Sequence, residues 1–217
     1  MDFGNVGLVI AGLVVGFIVG MTGVGGGSLM TPILLWFGIN PATAVGTDLL
    51  YAAITKSGGV LVHAKNRNID WAITGWLTLG SVPAVGLTLW FLSSLHSSPD
   101  AMNAIIKQAL GFVLFATALA ILFKKRLLQF AHDRAGGHYN PTGSRLNVLT
   151  VVTGLILGVM VALTSIGAGA LGTVALFILY PFLVTKRLVG TEIAHAVPLT
   201  LVAGLGHASM GNMDWHI

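Results

Sequence analysis

The chain contains no cysteine. That excludes disulfides, thiolate metal sites and cysteine catalysis. Charge is also scarce: Asp, Glu, Lys and Arg make up 8% of the 217 residues, where a soluble domain carries about 25%. Asp2, with no Lys or Arg, precedes the first apolar stretch, so that stretch lacks the basic flank of a signal peptide and counts as part of the fold. No HExxH, GxSxG or nucleotide-binding loop occurs. An intramembrane enzyme is therefore the weaker reading, primary active transport by this chain is not expected, and neither is a cofactor.

What is present is apolar. Hydrophobic residues are 55% of the chain and mean hydropathy is +0.88. A soluble fold of this length could not bury so much apolar surface behind so few charges. The composition implies an all-α, polytopic membrane protein, because the apolar runs are long and lack ten-residue alternation. Apolar segments fall at about 5–20, 24–38, 43–62, 72–92, 103–123, 146–163, 167–183 and 188–206. The net charge of +4 lies mostly in short loops, which reads as topology rather than nucleic-acid binding.

Two Gly-rich stretches interrupt these segments: Gly20-Met21-Thr22-Gly23-Val24-Gly25-Gly26-Gly27-Ser28, and Ala162-Leu163-Thr164-Ser165-Ile166-Gly167-Ala168-Gly169-Ala170. Glycine this dense breaks helices. Each break predicts a re-entrant hairpin or a pair of short broken helices, and such breaks mark the binding sites of transporters.

The chain also repeats. Val45-Gly46-Thr47-Asp48 matches Val189-Gly190-Thr191-Glu192, and His63…Asn68-Ile69-Asp70-Trp71 matches His207…Asn212-Met213-Asp214-Trp215, both at an offset of 144. Basic residues swap loops between the copies: Lys186 and Arg187 precede Val189 with none before Val45, whereas Lys65 and Arg67 follow His63 with none after His207. Such a swap is expected of two inverted-topology repeats. The expected arrangement is a first repeat at 1–123, a cytoplasmic linker at 124–145, and a second, incomplete repeat at 146–217. Basic loops face the cytoplasm and the N-terminus lies outside. By the offset, the second repeat is expected to be truncated, with two further apolar segments in a complete gene product.

The matched motifs resemble the sulfite exporter TauE/SafE family of membrane proteins: Gly-x-Thr-Gly-x-Gly-Gly-Gly-Ser at the first break, then Val45-Gly46-Thr47-Asp48, His63 and Asn68-x-Asp70-Trp71. The resemblance runs from about Gly7 to Trp215, apart from the central loop. It implies transport of sulfite, sulfoacetate or other organosulfonates, in a bacterial inner (plasma) membrane. A passive anion channel would share the same site.

An interrupted helix presents amide groups and partial positive charge to an anion. The candidate substrate-binding residues are therefore Thr22, Gly25, Gly26, Gly27 and Ser28 at the first break and Thr164, Ser165, Gly167 and Gly169 at the second. Lys56, inside an apolar segment, either faces the cavity or snorkels to the headgroups. At Gly26 any Cβ is expected to narrow the site. Asp48 and Glu192 read as first-turn residues near opposite membrane faces, with gating or proton coupling as the sharper role. Thr47 and Thr191 read as helix caps, and His63 and His207 as interfacial or gating residues. His195 reads as intramembrane, with Tyr51 at the equivalent place in the first copy. Asp70 and Asp214 read as N-caps, with Trp71 and Trp215 as interfacial anchors. No spacing of His or carboxylate fits a metal.

Overall fold

The computed structural model describes residues 3–22, 25–95, 98–127, 129 and 143–215, with the side chains of 3–6, 8 and 20–22 outside that description. Its main helices are α1 (Phe3–Thr22), α2 (Gly27–Trp36), α3 (Pro41–Lys65), α4 (Trp71–Ser94), α5 (Pro99–Leu122), α6 (Ser144–Thr164), α7 (Ala170–Leu179) and α8 (Thr185–Ser209). Four of them, α4, α5, α6 and α8, are long and apolar enough to cross a membrane. Helix α3 is as long as α8; α3 carries Asp48 and Lys56 within it, and α8 carries Glu192.

Local chemistry sets the starts. Asn40 caps α3 by accepting from Thr43 N at 3.0 Å, with Pro41 at the first helical position. Asp70 caps α4 by accepting from Ala72 N and Ile73 N. The first-turn placement of Asp48 and Glu192 is corrected by these starts. Both helices begin seven residues earlier, at Pro41 and Thr185, so each carboxylate sits about a third of the way along its helix. Thr47 and Thr191 consequently lie within helices and cap nothing.

Helices α3 and α8 pack antiparallel, and the repeated residues meet reciprocally. A Cβ on Gly46 would lie 2.1 Å from Asn212 O and 2.9 Å from His207 Cβ, and one on Gly190 would lie 2.1 Å from Asn68 O and 2.8 Å from His63 Nδ1. Thr191 Oγ1 accepts from Asp70 N at 2.9 Å, and Thr47 Oγ1 accepts from Asp214 N at 3.1 Å. Each copy's loop is thus stapled to the other copy's helix. Lys65 and Arg67 are thereby brought to the same end of the molecule as Lys186 and Arg187, where Arg187 pairs with Asp70 at 3.1 Å.

The two breaks are hairpins. Thr150, near the start of α6, bonds Tyr180 at the end of α7, their hydroxyls 2.7 Å apart. Gly7, near the start of α1, lies against the Phe37 ring that follows α2. Each hairpin therefore enters and leaves at one end of the molecule, the first beside the start of α3 and the second beside the start of α8. Helices α4 and α6 cross closely: Cβ atoms on Gly80, Gly154 and Gly158 would meet carbonyls of the facing helix at 2.0, 2.2 and 2.5 Å. Small residues at such crossings let helix backbones touch in an apolar medium, where dispersion replaces the hydrophobic effect.

Candidate functional site

The hairpin tips meet. Gly25 has φ +72°, a left-handed conformation that glycine adopts without strain, and a Cβ there would approach Gly169 Cα at 3.1 Å. A Cβ on Gly27 would lie 2.2 Å from Ser165 O. The steric demand thus falls on Gly25 and Gly27. Gly26, expected to be the critical position, has helical backbone at φ −59°, ψ −42°, and a Cβ there meets nothing within 4 Å. Its neighbours point inward between the tips and it does not.

A small cleft opens where the tips touch. Gly25, Gly27 and Ser28 line it from the first tip, Ser165 to Ala170 from the second, and Thr117 from α5. The first turns of both α2 and α7 border it, so two helix N-termini share one space. Ser28 Oγ donates to Gly25 O at 3.0 Å. Thr164 Oγ1 donates to Met160 O at 2.6 Å and accepts from Ile166 N at 3.1 Å, which shapes the second tip. Ser165 holds a left-handed backbone, φ +59°, where the first repeat has glycine. The Thr22 side chain, Gly23 and Val24 lie outside the described residues.

Charged groups lie just behind the second tip. Lys56 Nζ donates to Ala168 O, a lining residue, and stands 3.9 Å from Glu192 Oε1. It is directed into the protein rather than toward headgroups. Glu192 is buried and its Oε1 has no hydrogen-bond partner. Asp48, two turns before Lys56 on α3, is also buried, and its Oδ2 accepts from Thr31 Oγ1 of α2 at 2.6 Å. Each acidic residue therefore touches the short helix of its own repeat, Asp48 through Thr31 and Glu192 against Gly172.

The family model of the sulfite exporter TauE/SafE proteins matches residues 8–217. The chain belongs to that family. It is 38% identical over 211 residues to the probable membrane transporter protein YjnA of Bacillus subtilis, covering 97% of this chain and 82% of that one. A probable membrane transporter protein of Methanocaldococcus jannaschii is 29% identical over 217 residues, covering 97% and 74%. No solved structure matches significantly. This TauE/SafE chain is thus a membrane transporter protein by family, and its relatives are described as transporters rather than enzymes.

Neither His63 nor His207 lines the cleft; they sit at opposite ends of the α3–α8 pair. Each rests against the glycine of the other repeat, and His207 Nε2 lies 2.9 Å from Ala162 O. Sequence reasoning misses Thr31 and Thr117. A lone threonine in an apolar helix carries no signal until its partner is placed. Nor does the sequence partner His195, whose Nε2 lies 2.9 Å from Ser81 Oγ on α4. Of the linker 124–145, residues 128 and 130–142 lie outside the described residues.

Proposed function

We propose that this protein is a secondary transporter of a small sulfur oxyanion, sulfite or an organosulfonate such as sulfoacetate, working by alternating access. The observation that carries the reading is the meeting of two Gly-broken hairpins, one from each end of the molecule, with the Lys56 ammonium bonded to the second tip. Two helix N-termini and one half-buried cation suit a compact anion whose oxygens are spread around one centre. The cleft is narrow, of the order of one water molecule's space. Loading would move the hairpin tips apart, and closing would restore the contact of Gly27 with Ser165.

The same reading takes residues 1–123 and 146–217 as inverted repeats about a cytoplasmic linker. The basic end, with Lys65, Arg67, Lys186 and Arg187, then faces the cytoplasm of a bacterial cell, and the N-terminus faces outward. Purified protein in liposomes tests the substrate. Radiolabelled sulfite or sulfoacetate should enter in a saturable way and show counterflow when the lumen holds excess unlabelled anion. Flux without saturation or counterflow would make the protein a channel, and no flux of any sulfur oxyanion would end the reading.

A further inference from the structure

Lys56 has two claimants. It stands 3.9 Å from the Glu192 carboxylate and also touches the tip that borders the cleft. The two carboxylates near it are held differently. Asp48 has a hydroxyl donor in Thr31 at 2.6 Å. Glu192 Oε1 has no hydrogen-bond donor, although the side chain is only 4% exposed. Its charge is balanced by the Lys56 ammonium. Other groups near Glu192 do not replace that cation: α7 presents Gly172, α4 presents Ser81 to His195 on α8 itself, and His63 of α3 lies against Gly190.

An oxyanion entering the cleft draws the same ammonium. A buried site tolerates added charge poorly, because ions lose hydration there that a single partner barely replaces. We propose that Glu192 is the coupling residue: it takes up one proton from water when the anion engages Lys56, so anion and proton load together. The Lys56–Glu192–anion set then carries the same net charge empty and loaded. Before loading it holds one ammonium and one carboxylate. Afterwards it holds one ammonium, one monoanion and a neutral carboxyl. Asp48 differs from Glu192 in having the Thr31 hydroxyl as a donor. This proposal rests on the anion-transport reading and specifies what accompanies the anion in that same site.

Methanesulfonate is the suitable probe, since it stays a monoanion throughout the range and adds no titration of its own. Its binding to the purified protein would be measured by calorimetry from pH 5 to 9. Wild type should lose about tenfold in affinity per pH unit along the alkaline limb, the slope of one linked proton. In Glu192→Gln the affinity should vary by no more than about twofold across the range, while Asp48→Asn should retain the slope. The wild-type slope is decisive even where a variant fails to fold. Wild-type binding independent of pH would overturn the coupling proposal alone, and so would a slope kept in Glu192→Gln and lost in Asp48→Asn. No binding of methanesulfonate or of sulfite at any pH would overturn the substrate reading and the coupling with it.

Discussion

Three residues carry different loads at the site. Gly27 packs directly on Ser165 O, and backbone cannot give way as a flexible side chain can. Gly27→Ala should abolish anion flux and lower the unfolding midpoint, with an overpacking penalty of about 1–3 kcal/mol. Gly26→Ala should leave that midpoint unchanged or raise it, since helical backbone favours alanine by up to about 1 kcal/mol. Equal losses for the two variants in a thermal unfolding series would show that the tips do not touch. Lys56→Met removes the ammonium and keeps most of the stem. It should weaken anion binding by about tenfold or more, since a charge-assisted hydrogen bond contributes roughly 1.5–3 kcal/mol. Removing Lys56 alone also strands Glu192, so the double variant with Glu192→Gln should recover stability but not affinity. Recovery of affinity in the double variant would remove Lys56 from the anion's partners.

At the scale of elements, α3 and α8 are fastened by two equivalent staples. Thr47→Val and Thr191→Val each leave a loop amide, Asp214 N or Asp70 N, without its hydroxyl acceptor. Each should cost about 1 kcal/mol, and the two should cost alike, since a lost acceptor is penalised by the donor's own desolvation. A large difference in denaturant midpoints would show that one staple matters and the other does not. Asp70→Ala should lower the unfolding midpoint, because Asp70 caps α4 and pairs with Arg187. The cap is worth about 1 kcal/mol, and the half-exposed ion pair adds little. At the α4–α6 crossing, Gly154→Val should separate helices whose backbones now meet, which crosslinking of paired cysteines would report.

For the whole molecule, the prediction is one of sidedness. The chain has no native cysteine, so single cysteines can be labelled without background. Positions Lys65, Lys125 and Lys186 should react with an impermeant reagent only from the cytoplasmic side, and Ile39 and Ser209 only from outside. Labelling of 65 and 209 from the same side would contradict the antiparallel packing of α3 and α8 as well as the inverted reading.

Composition alone makes the chain a helical membrane protein, because apolar surface of this extent has no other solvent. Segment positions are legible because Gly, Pro and polar clusters interrupt apolar runs, and the repeat is legible because Gly46, Thr47, His63 and Asn68 recur at one offset. Helix starts are less so: the Gly-Thr pairs draw attention from Asn40-Pro41, and a threonine that accepts a bond from a distant loop looks like a cap. Only the tertiary structure decided that the breaks are hairpins whose tips meet, that Gly25 and Gly27 rather than Gly26 are sterically pinned, and that Lys56 reaches Ala168 and Glu192. Those facts join residues more than a hundred positions apart. Periodicity and composition act along the chain, whereas contacts of that separation are set by how the helices pack.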